Sequence, residues 1–220
     1  MARKAANVRI CMAPRLQPFD ESMDSLNATI QHAVDAGFGI TLAKTRRGAP
    51  GFQNYGPVMV DFLESDDTHL FIAADDVTYP QDCIVRLVNA DKDIISGIYR
   101  KSLLKEIQPA NYGDGTVETF LEHLREGGVY PAKFGSAHSM TIRREVIKKM
   151  IEDYPELAYE YLGRTHHALF LPMIHEGLIY QDDWAFSHRA QQSGFTLWDD
   201  FGCQLKHYCG DFLGFEAVGQ

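Results

Sequence analysis

Two acidic pairs and one histidine are the residues of this sequence best suited to chemistry. The pair Asp75-Asp76 directly follows an apolar run over residues 70–74, the pair Asp182-Asp183 lies in the segment YQDDWAF, and His207 comes close to the end of the sequence. Carboxylate oxygens are the ligands that Mg²⁺ and Mn²⁺ prefer, and an imidazole can complete such a ligand set. The order of these residues along the chain suggests a metal-dependent transferase.

The pair Asp75-Asp76 has two interpretations. Aspartate is common in turns, where its side chain caps the backbone, so the pair could simply close a strand. In an open α/β sheet, however, a carboxylate at the end of a buried strand meets the ligand crevice. There it can hold a divalent cation that bridges two phosphates and neutralises the charge that develops on a diphosphate leaving group.

The second pair and the histidine also have two interpretations each. An aspartate at a helix start caps the helix and suits its dipole, and the same carboxylate can act as a general base when it faces a cleft. His207 is either a surface or partly buried histidine or the imidazole that completes the metal shell. Cys203 and Cys209 beside it would suggest zinc instead, but their spacing matches no zinc finger and a fourth ligand is not evident.

The hydrophobic pattern predicts alternating strands and helices in the first half of the chain. The predicted strands cover residues 7–13, 40–43, 70–74 and 93–99, with a helix between each two of them. This β-α-β-α-β-α-β order implies right-handed crossovers and a largely parallel sheet flanked by helices, which is an α/β fold.

The second half of the sequence is less regular. Helices are predicted over residues 116–125, 143–151 and 183–193, and strands over residues 137–142 and 195–198. Between them, residues 153–178 are rich in Tyr, His, Gly and Pro without a clean period, so we predict a long loop or lid there.

Composition narrows the class of protein. With 220 residues, 45% of them hydrophobic, the chain is long enough for one globular domain with a proper core. A formal charge of −9 argues against a broad electrostatic surface for nucleic acid. The four cysteines include no CxxC pair, which favours an intracellular protein with reduced thiols. The sequence shows no apolar signal segment and no membrane-spanning stretch. We therefore predict a single-domain, cytoplasmic protein, in the host cytoplasm if it is viral.

Taken together, these motifs resemble those of glycosyltransferases with the GT-A fold, the family 2-like group in particular. The segment THLFIAADDV resembles the strand that delivers the DxD motif of that family, with Ala74 in the first place, Asp75 in the middle and Asp76 in the last. The segment YQDDWAF resembles the family's ED helix, and the segment KHYCG resembles its C-terminal histidine, here His207. The match covers most of the chain, and Ala74 is its main departure.

The resemblance assigns roles to individual residues. It implies that Asp76 and His207 hold the metal, Mn²⁺ or Mg²⁺, and that Asp183 deprotonates the acceptor with Asp182 in the place of the family's glutamate. It also implies a set of residues that line the donor site. Pro14 and Arg15 would contact the nucleobase, and the others are Asp75, and Arg100 and Lys101 after the fourth predicted strand. From the residues alone, Arg100 and Lys101 are either strand-end charges in solvent or groups that contact a phosphate or orient the substrate.

The function implied is transfer of a sugar from a nucleoside-diphosphate donor, a UDP-sugar, to an acceptor hydroxyl. The same resemblance divides the chain into a nucleotide-sugar-binding half, residues 1–101, and an acceptor-binding half, residues 102–220. The acceptor could be a glycan, a protein, a lipid or, for a phage-type enzyme, a hydroxymethylated DNA base. Two alternatives stay open: a nucleotidyltransferase, which lacks support because no Gly-rich basic loop follows the first strand, and an inactive sugar-binding module, which Ala74 favours.

Overall fold

The computed structural model describes residues 6–12, 18–46, 51–100, 117–208 and 212–213. Its first half contains β1 (Asn7–Met12), α1 (Asp20–Asp35), β2 (Gly39–Leu42), α2 (Gly51–Leu63), β3 (His69–Ala73), β4 (Val77–Thr78), α3 (Cys83–Asn89) and β5 (Ile94–Tyr99). Its second half contains α4 (Val117–Glu126), β6 (Val129–Ala132), β7 (Ser139–Arg143), α5 (Arg144–Asp153), β8 (Ala158–Tyr161), β9 (Arg164–His167), β10 (Met173–His175), β11 (Leu178–Tyr180), α6 (Asp182–Gln192), β12 (Leu197–Tyr208) and β13 (Phe212–Leu213).

One large sheet organises these elements. Its central strands follow the order β12-β5-β7-β3-β1-β2, and the short strands β4, β6 and β13 all pair with β12. Strands β2, β1, β3, β5 and β12 run in the same direction, and only β7 among these six runs against its neighbours. The predicted α/β fold with a mostly parallel sheet and flanking helices is therefore confirmed.

The core lies on both faces of this sheet, because side chains alternate along each buried strand. Leu70 and Ile72 of β3 pack on one face against α2, α5 and α6, through residues such as Phe62, Val146 and Phe186. Phe71 and Ala73 pack on the other face against α1 and α3, through residues such as Leu26, Ile84 and Leu87. The continuous apolar run that predicted a central strand reflects this burial on both faces.

The prediction of a long irregular loop over residues 153–178 is wrong, whereas a role of this stretch as a lid stays a prediction. This stretch contains two β-hairpins, β8–β9 and β10–β11, instead of aperiodic chain. Each hairpin turns on two residues with positive φ: Leu162 and Gly163 at 52° and 73°, and Glu176 and Gly177 at 50° and 78°. Positive φ at both turn residues is the tight hairpin turn that suits the twist of its flanking strands, with glycine in the second place. The strands have only three or four residues each, too few for a visible alternation.

The predicted last strand over residues 195–198 is also too short. Strand β12 runs from Leu197 to Tyr208 and pairs first with β5 and β6, then with β4 and β13. Its register against β5 shifts between Asp200 and Gln204, so a bulge divides it. Two aspartates and the bulge hide this strand from a pattern of simple alternation. No helix in the described part of the chain is both long and apolar enough to cross a membrane.

Candidate metal and active site

Asp76 and His207 are brought together by the short strand β4. Asp76 stands in the turn between β3 and β4, and Val77 of β4 is the direct cross-strand partner of His207 in β12. The backbone N–H of Tyr208 also donates to the carbonyl oxygen of Asp76 at 2.8 Å. As a result, His207 Nε2 lies 3.5 Å from Asp76 Oδ2. The two residues expected from the sequence to share a metal are therefore neighbours in the fold.

A second histidine, His138, reaches the same carboxylate from another strand. Strands β3 and β7 are antiparallel, with Ala73 opposite Ser139, so the residue before β7 lies beside the turn that follows β3. The Ala74 N–H donates to the His138 carbonyl at 3.3 Å, and His138 Nε2 lies 3.7 Å from Asp76 Oδ1. His138 was not among the site residues predicted from the sequence.

Asp76, His138 and His207 form a compact group of metal-binding type. Each offers one ligand atom, and these atoms all lie within 4.8 Å of one another, with the carboxylate buried and the imidazoles half-buried. Two imidazole nitrogens and one carboxylate suit a first-row transition cation, and of the two cations expected from the sequence Mn²⁺ is the transition metal, whereas Mg²⁺ prefers oxygen ligands throughout. The donor set therefore fits Mn²⁺ better than Mg²⁺.

Two neighbours orient the imidazoles. Ser136 Oγ lies 2.8 Å from His138 Nδ1, which occupies that nitrogen and leaves Nε2 on the side of Asp76. The Tyr99 ring, at the end of β5, packs against both imidazoles, with centroid distances of 4.3 Å to His138 and 5.1 Å to His207. Ser136 is fully buried, and its own N–H donates to Ser96 Oγ at 3.0 Å. The loop that carries His138 is thus tied to the sheet.

Tyr79 joins the turn after β3 to the His138 loop. Its hydroxyl oxygen accepts a hydrogen bond from the Ala74 N–H at 2.8 Å and lies 2.7 Å and 2.9 Å from the carbonyl oxygens of Ala74 and His138. Complete burial raises the pKa of Tyr79 well above its usual value, with a smaller contribution from Cys83, so the phenol stays protonated and can donate. This clamp acts on the backbone of Ala74, the residue that departs from the DxD pattern.

The second acidic pair begins helix α6, as the sequence predicts. Asp182 Oδ1 accepts from the Asp183 N–H at 3.0 Å, and Asp183 Oδ1 accepts from the Trp184 N–H at 2.9 Å. Burial raises the pKa of Asp182, although backbone hydrogen bonds oppose the shift. A carboxyl group with a raised pKa at the N-terminus of a helix is a typical candidate for proton transfer.

Tyr55 of α2 shows where this pair lies. Burial raises the pKa of Tyr55 most, and the nearby Cys11, Asp182 and Asp183 raise it further. Since Cys11 is close to the C-terminal end of β1, the start of α6 lies at the same end of the parallel strands as Asp76. Phe170 links the two helices, because its ring packs on Tyr55 at 4.5 Å and stacks on Phe186 of α6 at 4.2 Å.

The other predicted site residues are distributed as follows. Asp75 is buried beside Asp76, and its carbonyl oxygen accepts from the Phe19 N–H at 3.4 Å. Arg100 directly follows Tyr99 and is half-buried at the end of β5. Pro14, Arg15 and Lys101 lie outside the described residues. The roles assigned to all five stay predictions.

The zinc alternative, which the spacing of Cys203, His207 and Cys209 already disfavoured, gains no support from the position of Cys203. Although Cys203 and His207 belong to the same strand, the Cys203 side chain lies in the core, with its sulfur 3.3 Å from that of Cys83. Cys203 is fully buried, so its sulfur is not available at the site of His207. Cys209 lies outside the described residues.

Comparison with known proteins places the fold. No protein-family model and no curated protein match the chain. Among solved structures, A197 from STIV, a viral protein, aligns with a TM-score of 0.53 at 12% identity over 92% of this chain and 85% of its own. GalNAc-T7 with UDP, GalNAc and Mn²⁺ aligns with a TM-score of 0.55 at 9% identity over 94% of this chain.

These likenesses show the fold and nothing finer. The chain spans 44% of the GalNAc-T7 chain, less than half of its length. The chain has a GT-A fold, so the architecture implied by the sequence resemblance is confirmed. At such low identity, chemistry has to be argued from the side chains of this chain alone.

Proposed function

We propose that this chain is a glycosyltransferase that uses Mn²⁺ to move a sugar from a nucleoside-diphosphate donor, a UDP-sugar, to an acceptor hydroxyl. One observation carries the proposal: Asp76, His138 and His207 converge at the carboxyl end of β3 in a GT-A fold. In open α/β sheets this edge is where ligands bind. The presence of UDP, GalNAc and Mn²⁺ in the GalNAc-T7 structure is in keeping with it.

The three ligand side chains would hold the cation, and a bound Mn²⁺ would stabilise the negative charge on the departing diphosphate. Asp76 supplies the anionic ligand on a rigid turn. Ser136 and Tyr99 keep the imidazoles in place, so little side-chain freedom is lost when the cation binds. Asp75 and Arg100, with Pro14, Arg15 and Lys101, are proposed to contact the donor.

The acceptor half of the chemistry is assigned to the start of α6. Asp183 is proposed to take the proton from the acceptor hydroxyl as its oxygen attacks the sugar. Asp182, whose pKa burial raises, is proposed to support it from the place of the family's glutamate. The carboxylates lie at the positive end of the helix dipole, which favours their ionised form and opposes the effect of burial.

The proposal is tested with a panel of nucleoside-diphosphate sugars, with and without Mn²⁺, scored for nucleotide release. We expect release from a UDP-sugar that requires Mn²⁺ and stops with excess EDTA. Asp76→Ala should abolish it, while the control Asp66→Ala, an exposed aspartate before the same strand, should not. Turnover that persists in EDTA would contradict metal dependence.

An inactive nucleotide-sugar-binding module is the second candidate, because Ala74 replaces the first aspartate of the DxD pattern. Binding of UDP without any release of nucleotide from the whole panel would favour it. For an active enzyme, a glycan, a protein, a lipid and a modified DNA base remain the acceptor classes to compare. The charge of −9 disfavours DNA, since a duplex would be repelled by an acidic surface.

A further inference from the structure

A cavity separate from the metal site opens between α2 and the β8–β9 hairpin. Its volume is about 280 Å³, and its walls are formed by Arg46, Gln53, Tyr159, Tyr161, Ala168 and Leu171. Pockets for drug-sized ligands begin at about 300 Å³, so this cavity has space for about one ring. The walls combine a cation, an amide, two phenol rings and a small apolar patch.

The hairpin presents its two tyrosines on one face. Tyr159 and Tyr161 are two residues apart on β8, so their side chains lie on the same side of the strand, and Glu160 lies on the other. Tyr159 fits against α2 only because residue 56 is glycine: a Cβ there would collide with the Tyr159 hydroxyl. The Tyr159 ring is therefore held in position by the packing of the hairpin on the helix.

Arg46 supplies a positive charge at the edge of this cavity. The Asn54 side chain fixes its backbone through two hydrogen bonds, of 2.6 Å to the N–H and 3.1 Å from the amide to the carbonyl. Its guanidinium donates to the Tyr161 hydroxyl at 3.1 Å. Within the part of the chain that the structure describes, no carboxylate pairs with it. A planar guanidinium with open N–H groups suits a carboxylate ligand, which can accept two parallel hydrogen bonds.

The acidic residues nearest the hairpin do not compete for this charge. Asp61 and Glu64 of α2 are paired with Arg164, at 2.8 Å and 2.7 Å. Glu160 lies on the other face of β8 from the two tyrosines, where it accepts from the Thr165 hydroxyl at 2.6 Å. Although the chain as a whole is acidic, the charged side chain that lines the cavity is therefore the cationic Arg46.

The cavity lies on the same side of the molecule as the proposed acceptor site. Leu171 is part of its wall, and the carbonyl oxygens of Leu169 and Leu171 both accept from the guanidinium of Arg189 in α6, at 2.8 Å. Phe170, between them, stacks on Phe186 of the same helix. The segment that closes the cavity is thus the one that supports the helix carrying Asp183.

We propose that this cavity binds an acidic sugar unit, a hexose ring that carries a carboxylate, as part of an extended acceptor. The apolar C–H face of a sugar ring packs on the tyrosine rings, Gln53 bonds its hydroxyls, and Arg46 bonds its carboxylate. The acceptor assignment rests on the proposed function, whereas binding of the sugar unit does not.

Binding is measured on the full chain, without nucleotide or metal, by saturation-transfer NMR titration. The probes are methyl β-D-glucuronide and methyl β-D-glucoside, which differ only in the carboxylate. We expect the glucuronide to bind about tenfold more tightly, because a charge-assisted bidentate pair adds that much. Arg46→Gln should remove the difference, and Tyr161→Phe, which removes the hydroxyl that orients the guanidinium, should reduce it.

The matched control is Arg164→Gln, an arginine of the same hairpin whose guanidinium is engaged by Asp61 and Glu64 outside the cavity. It should leave the preference for glucuronide intact. Equal affinities of the two probes, no effect of Arg46→Gln, or displacement of the glucuronide by UMP would each overturn the assignment. Donor turnover by the wild type is scored separately, so a failure of the proposed function is distinguished from a failure of this site.

Discussion

The Ser136 hydroxyl helps to orient the imidazole of His138. Ser136 Oγ engages Nδ1 at 2.8 Å, and the fully buried serine has its own backbone fixed by Ser96. A partner on the far nitrogen of a ligating histidine fixes both its tautomer and its ring plane. The affinity of the proposed site for Mn²⁺ therefore depends in part on a residue that is not itself a ligand.

Replacing Ser136 with alanine should weaken Mn²⁺ binding by about tenfold or more, the loss typical of removing such a partner. Titration of Mn²⁺ against the variant by electron paramagnetic resonance measures this. The control is Ser187→Ala, which removes a hydrogen bond of 3.0 Å to Gly135 in the same loop but does not touch the imidazole. A similar loss of affinity in both variants would show that general loosening of the loop, rather than orientation of His138, is responsible.

Asp183 and His207 should differ in their response to metal. Asp183→Asn keeps the size of the side chain but removes the proton acceptor, so turnover should fall by about 10² to 10⁴ at any Mn²⁺ concentration. His207→Ala removes a ligand, so raised Mn²⁺ should partly restore its activity. Nucleotide release measured across a Mn²⁺ series separates the two. The division of roles fails if both variants respond alike.

Two strand pairings build the site at the level of elements. The short strand β4 sets Val77 against His207, and the antiparallel pairing of β3 with β7 sets the residue before β7 beside the turn after β3. The sequence predicted Asp76 from the apolar run before it, but a two-residue strand such as β4 leaves no periodicity to read. The pairing of His207 with Asp76 was therefore predicted from the family resemblance and not from any periodicity in the sequence.

His138 was missed because its loop has no hydrophobic pattern either. In the segment FGSAHSM, Gly135 allows a close approach of the backbone to its neighbours, because a Cβ there would lie 2.9 Å from Met140 and 3.1 Å from Leu197 and Ser96 Oγ. The serine two residues before the histidine was the available signal, because a hydroxyl at that spacing can engage the imidazole.

The start of β3 carries a pH-sensitive residue. Burial, with a smaller contribution from Arg143, lowers the pKa of His69 from 6.5 to about 4. A lowered pKa means that the folded protein resists protonation, so the stability associated with neutral His69 is present above pH 6.5 and is lost as the pH falls towards 4. The loss should reach about 3 kcal/mol.

Urea unfolding of the wild type and of His69→Gln between pH 7 and pH 4 checks this expectation. Protonation of carboxylates is common to both proteins, so the difference between their free energies of unfolding isolates the histidine. The wild type should lose stability more steeply than the variant as the pH falls. Parallel curves over this range would contradict the assigned pKa.

For the molecule as a whole, the sequence predicted the class of fold but not the direction of every strand in the sheet. Alternation of strands and helices in the first half implied parallel strands, and β1, β2, β3 and β5 are parallel. Strand β7 runs the other way, because it enters the sheet between β3 and β5 after the chain has left the regular alternation. Orientation of that kind depends on contacts between distant segments, which a local pattern does not contain.

The proposed function depends on a Mn²⁺ site formed by Asp76, His138 and His207. Electron paramagnetic resonance, which counts free Mn²⁺ in a titration of the full chain with and without UDP, measures whether this site exists. We expect about one bound Mn²⁺ per chain in the wild type and in the control Asp66→Asn, and loss of that binding in Asp76→Asn, because the anionic ligand is removed. A wild type that binds no Mn²⁺ even with UDP present, or an Asp76→Asn variant that binds it equally well, would show that these residues do not form a Mn²⁺ site.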